Sequence, residues 1–294
     1  MAITTIDPNE TEQRRLYHLL SGAVAPRPIC FASTIDAEGN VNLSPYSFFN
    51  VFSSKPPILI FSPVRKGRDN TTKDTHENIL QTKEVVINMV NFPIVEQMSL
   101  TSTSYPADVN EFVKAGLTEI PSEKVRPPRV AESPVSFECV VDDVIELGSG
   151  PGAGNLVLAR VVLIHVQSDL LDEDQKIDTT KIDLVARMGG SWYARANADA
   201  LFEIPRPLRT MGIGVDQLPE SIRFSNVLTG NNLGRLGNVE QLPTNDEIRE
   251  IYYDKNIQRI SSQEELHRIA QLWLEGGETK RALALLMYAD KVPA

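Results

Sequence analysis

The chain has 294 residues, a formal net charge of −10 and 41% hydrophobic residues. That length and composition fit one large domain, or a domain with an extension, around a real core. Its acidity excludes the broad positive field of a nucleic-acid binder and makes an anionic membrane surface a poor partner.

The elements follow in chain order. The opening MAITTIDPNETEQRR has no basic stretch ahead of an apolar run, so no secretory leader is expected. Residues 10–21 read as a short helix, with Leu16, Leu19 and Leu20 at helical spacing. Residues 29–35 are strand-like, 36–40 carry turn chemistry, and 41–52 resume strand character, which predicts a hairpin. A short apolar strand follows at 58–62. A helix is expected over 73–83, with Asp74 or Thr75 as N-cap and Glu77 in its first turn. Residues 84–90 read as another strand. Six prolines break up 91–134, and a segment that long and irregular is expected to lie across a surface or over a site. Strong strands are predicted at 136–142 and 155–165.

From Pro205 the character changes. Pro205-Arg-Pro207 reads as a stiff connector, and 208–243 as Gly/Asn-rich turns or loop. Thr244 and Glu247 make a capping-box pattern ahead of a helix to Tyr253, and Ser262 and Glu265 make a second. Leu266, Ile269, Ala270 and Trp273 mark one helix face. Gly276-Gly277 is a break, and Ala282, Leu285, Leu286 and Ala289 mark the next face.

No apolar stretch approaches the roughly 18 residues of a spanning helix. Cys30 and Cys139 sit in apolar strand-like runs and read as buried free thiols in a reducing compartment. The four histidines have no metal-type spacing, so no metal site is expected. A cytoplasmic protein is the default.

Four segments carry candidate chemistry. The Gly-rich run 148–154 is followed by a strand rather than a helix, so it reads as a hairpin loop and not a phosphate loop. Residues 44–50 combine hydroxyls, amides and aromatics, the mixture a flat polar aromatic ligand needs; an ordinary alternating strand fits them too. Arg65, Lys66, Arg68 and Lys73 form a basic cluster that runs into a helix start, which makes either an anion site or a solvated basic loop. Arg187-Met-Gly-Gly-Ser-Trp-Tyr193 fits a cofactor or dimer contact, or a packed turn. No nucleophile elbow or distinctive acid–base pair is visible. A redox cofactor that carries the chemistry itself would account for that.

Taken in order, Arg27–Thr34, Asn42–Asn50, Pro56–Ser62, Lys73-Asp-Thr75 with Asn78, Val86–Asn88 and Arg187–Gly190 resemble the flavin reductase-like, FMN-binding split-barrel family, in particular its flavoredoxin-type branch. The resemblance spans about residues 15–200. It implies a mainly β fold, a six-stranded, Greek-key split β-barrel with inserted helices over 1–204; the loop-rich, α-helical C-terminal extension over 205–294, read from the residues themselves, lies outside the family's common core. It also implies a homodimer with FMN near its interface. Ser33 and Thr34 would lie by the phosphate or ribityl chain. Ser44, Pro45, Tyr46, Ser47, Phe48 and Phe49 would line the isoalloxazine, and Ser62, Lys73 and Thr75 would hold the phosphate. Arg187 would approach from later in the chain. The implied activity is NAD(P)H-dependent flavin reduction, with NADH or NADPH as co-substrate and a flavin or other small acceptor. The alternatives are a flavoredoxin-like electron carrier and a non-catalytic FMN-binding protein. The extension would cover part of the pocket or the partner subunit.

Overall fold

The computed structural model describes residues 2–204 and 211–290. It divides into two units, Met1–Phe202 and Glu203–Ala294. The expected connector at 205–207 lies outside the described residues.

The first unit begins with helix α1 (Gln13–Ala23). Strands β1 (Cys30–Ile35) and β2 (Val41–Tyr46) form the expected hairpin. Strands β3 (Phe49–Ser54) and β4 (Pro57–Phe61) form another. Helix α2 (Asp74–Thr82) leads into β5 (Glu84–Met89). The irregular segment holds α3 (Val95–Leu100), α4 (Glu111–Ala115) and a small ladder of β6 (Glu119–Ile120) with β7 (Arg129–Val130). The long pair β8 (Val135–Glu146) and β9 (Asn155–Val166) follows, then the ribbon β10 (Leu184–Arg187) and β11 (Tyr193–Ala196).

One antiparallel sheet has the order β2-β1-β5-β8-β9-β4-β3. Its two edges, β2 and β3, are consecutive in sequence and joined only by Ser47 and Phe48. So short a link spans at most about 11 Å, so the sheet must curl until its edges nearly meet. No ladder joins them among the described residues, which leaves the curled sheet open along that seam. Seven strands stand where six were expected, because 41–52, read as one strand, breaks at Ser47. On the β2 edge, Pro45 has no N–H to offer a further strand.

Strand alternation splits the core. Cys30 and Ala32 face Phe61, Ile79, Ile87 and Val157. Phe31 and Leu43 face the other way, against Met98 and Phe112 of α3 and α4. Both cysteines are buried and free, and burial pushes both thiols up.

The second unit is helical: α5 (Glu220–Arg223), α6 (Gly230–Gly237), α7 (Asn245–Tyr253), α8 (Gln263–Glu275) and α9 (Thr279–Ala289). Its own core gathers Leu218, Ile222, Leu236, Ile251, Leu266 and Leu274 around α9, whose residues 282–286 are all buried. Both α5 and α6 fall where loop was expected. Glycine disfavours helix by about 1 kcal/mol per residue. In α6 a reciprocal Thr229–Asn232 capping box offsets this. Gly237 packs so close to Gly214 and Val215 that a Cβ would lie 2.9 Å from their backbone atoms. The Thr244–Glu247 box is reciprocal as predicted, whereas at the second site only Ser262 accepts, from the Glu265 N–H. Thr244→Ala should cost about 1 kcal/mol, read as a lower urea midpoint for this unit.

Candidate functional site

Helix α2 starts without a side-chain cap. Its N-cap is Lys73, not Asp74 or Thr75. The N–H groups of His76 and Glu77 bond the Lys73 carbonyl, and those of Asp74 and Thr75 have no partner among the described residues. A helix start with free N–H groups favours an anion.

The surroundings of this helix start form a polar pocket. It is lined by Asn42, Ser44 and Tyr46 of β2, by Lys66, by Lys73, Asp74 and Thr75, by residues 101–105, and by Glu111 of α4. Strand alternation puts the three β2 side chains on one face. The irregular segment lies over this site and supplies its far wall. Thr75 Oγ1 donates to Asn42 Oδ1 at 2.6 Å, and the Asn42 amide and Leu43 N–H donate to Glu111 at 3.1 and 2.9 Å.

Two features of the pocket are unsatisfied. The Tyr46 hydroxyl is buried without a hydrogen-bond partner. Burial pushes it up to about 12; the Thr75 and Ser44 side chains hold it down slightly, yet neither meets hydrogen-bond geometry. Lys73 has no carboxylate within ion-pair distance among the described residues; burial, then Lys66, lowers its ammonium from the usual lysine value. An anion would relieve that repulsion.

The loop carrying Lys66 is braced from behind. Arg65 Nε donates to Asn70 Oδ1 at 2.9 Å. The Arg65 N–H bonds the Ala153 carbonyl, and the Gly152 N–H bonds the Arg65 carbonyl. The Gly-rich run is therefore a hairpin loop, as read, and it buttresses the basic loop. Ser62 belongs to this bracing: its Oγ accepts the Asn155 N–H at 3.1 Å, and Asn155 Nδ2 donates to the Pro63 carbonyl.

The expected site residues thus fall in several places. Ser44, Tyr46, Lys73 and Thr75 meet in the pocket. Ser47, Phe48 and Arg187 gather around Arg27, which donates to Ser47 Oγ at 3.3 Å and to the carbonyls of Ser21, Val24 and Met188, and lies 5.9 Å from the Phe48 ring centre. Arg187 pairs with Arg27 through the backbone, and its guanidinium lies 4.6 Å over the Tyr193 ring. Ser33 and Thr34 are fully buried; Thr34 accepts from Asn78, and the Ser33 hydroxyl has no partner. Phe49 packs against the core, and Pro45 sits on the sheet edge. Sequence reasoning left out Lys66 and Glu111 as site residues. Lys66 carried a signal in the basic cluster; Glu111 carried none, because its partners lie far back in the chain.

Residues 22–181 match the family model for the flavin reductase like domain. The chain belongs to the flavin reductase-like family. An uncharacterized protein of Aquifex aeolicus is 40% identical over 195 residues, which cover 66% of this chain and 97% of that protein. Nitrilotriacetate monooxygenase component B of Bacillus cereus is similar in structure, with TM-score 0.65 and 32% identity over 69% of this chain and all of that one. A split-barrel protein of Shewanella frigidimarina, provisionally assigned as a flavin reductase, has TM-score 0.58 and 29% identity over 67% and 95% of the two chains. About a third of this chain has no counterpart in the Aquifex relative. Over the matched residues the fold is mainly β with helices, as in the split-barrel neighbour. No helix of the described residues is long and apolar enough to cross a membrane.

Proposed function

We propose that the chain binds FMN with its phosphate in the pocket at the start of α2, and that it works as an NAD(P)H-dependent flavin reductase. The carrying observation is the set of donors left without acceptors there: the Asp74 and Thr75 N–H groups, the Tyr46 hydroxyl and the Lys73 ammonium beside Lys66. These fit a phosphate dianion in number and sign. FMN, when bound, supplies hydride and electron transfer, so the protein needs no acid–base pair of its own. The lysines and helix start hold the phosphate, and the 101–105 loop and Tyr46 close the pocket wall. Among the described residues no parallel strand–helix–strand unit offers a dinucleotide site, so a nicotinamide would have to reach the flavin directly.

A homodimer belongs to the same reading. Tyr17, Leu19, Leu20 and Val24 of the α1 region and Phe48, Val51 and Phe52 near β3 are exposed apolar side chains, of the kind a partner subunit covers.

Reduction tests the activity. The FMN-loaded protein should lose its yellow absorbance when NADH or NADPH is added without oxygen. Absorbance that persists with both, and falls only with a reduced protein donor, would instead make it an electron carrier. Tyr46→Phe gives a smaller test. It should weaken FMN binding by about 1 kcal/mol and leave the free protein as stable as before or slightly more so, since the lost hydroxyl has no partner there. Paired titration and melting measurements read both effects.

A further inference from the structure

The β2 edge carries N–H groups that face away from β1. Leu43 offers one, and an edge N–H needs a partner. Glu111 is that partner: one carboxylate oxygen takes the Leu43 N–H at 2.9 Å, and the other takes the Asn42 amide at 3.1 Å. A carboxylate only accepts. It therefore fixes the Asn42 nitrogen toward α4 and the Asn42 oxygen toward α2, where the Thr75 hydroxyl donates at 2.6 Å. That hydroxyl has one proton and spends it on Asn42.

We propose that Glu111 is a positioning residue of the phosphate pocket, acting through Asn42 to fix Thr75 and the first turn of α2 so that the free N–H groups of that turn face the ligand. This rests on the FMN reading above. Glu111 is 5% exposed. Burial pushes its carboxyl above the ordinary range, while the Leu43, Glu111 and Asn42 N–H groups offset part of that and Asp74 adds to it. The charged groups lining the same pocket are Asp74 on α2 and the ammonium groups of Lys66 and Lys73.

The sign of one substitution separates positioning from charge. A carboxylate beside a phosphate repels it, so charge alone makes Glu111→Gln bind FMN more tightly. Positioning makes it bind more weakly. A glutamine puts an NH2 donor where the carboxylate has its second oxygen, and Leu43 and Asn42 use different oxygens. With the Leu43 N–H fixed in the backbone, the Asn42 amide faces a donor and turns, and Thr75 loses its acceptor. The test titrates wild type, Glu111→Gln and Asn42→Ala with FMN and with riboflavin, which lacks the phosphate. Glu111→Gln should weaken FMN binding by about tenfold or more while riboflavin affinity changes by less than about twofold. Asn42→Ala should show the same selective loss, and it keeps the test decisive should Glu111→Gln fail to fold. FMN affinity that holds or rises in the variants overturns the proposal, as does an equal loss for both ligands. Wild type that binds neither ligand overturns the FMN reading itself; wild-type binding with unaffected variants removes only the role of Glu111.

Discussion

Lys73→Ala should weaken FMN binding by about 1–3 kcal/mol, roughly 5- to 150-fold, the range of a charge-assisted phosphate contact. Lys73 is the N-cap of α2, so its ammonium and the free N–H groups of the first turn serve one pocket. Burial and Lys66 already lower its ammonium from the usual value, and a bound phosphate favours the charged form again. The loss should shrink as salt rises, because part of it is long-range attraction. Riboflavin affinity should hold, since that ligand brings no charge. A fluorescence-quenching titration at two ionic strengths reads all of this, and an unchanged FMN affinity would remove Lys73 from the site.

The largest expected effect on stability lies at Glu138, which has no exposed surface. Its carboxylate accepts the Glu123 and Lys124 N–H groups at 2.9 and 2.6 Å, lies 2.7 Å from His165 Nε2, and has Arg129 Nε at 3.9 Å. It pins the 123–124 turn to β8. Glu138→Ala strands those donors, and breaking such a buried set costs about 3–5 kcal/mol. Burial alone would push the Glu138 carboxyl up, yet the Glu123, His165 and Lys124 partners hold it below its ordinary value. A depressed carboxyl contributes stability above its unfolded pKa and loses it as pH falls through its folded pKa. Glu138→Gln should therefore be less stable at neutral pH, with a flatter decline on the acid side. Urea midpoints across the acid range check this; a variant with wild-type slope would assign the acid sensitivity to other carboxylates.

The strands were legible because their runs are apolar and rich in β-branched residues, as in 155–165, even where, as in the second half of that run, burial is only partial. The break at Ser47 was not. Residues 41–52 are β-formers throughout, and what sends β2 and β3 to opposite edges is pairing with β1 and β4, which no local pattern encodes. Helix α6 was hidden by its glycines, because its support comes from Leu236 packing and the close approach at Gly237. In the site, Lys73 could be read from its place before a helix, and Ser44 and Tyr46 from the hydroxyls, amides and aromatics gathered in 44–50. Ser62 could not be separated from them, because its commitment to Asn155 is a contact across the β4–β9 seam. Glu111 lies outside every motif; its part depends on Asn42 and Leu43, its partners in space.

The central claim is that this pocket takes FMN by its phosphate. Equilibrium titration of the flavin-free protein with FMN and with riboflavin tests it most directly. Uptake of about one FMN per chain is expected, with riboflavin bound at least about tenfold more weakly, the share of one charge-assisted contact or more. Failure to take up FMN, or equal affinity for the two flavins, would contradict it.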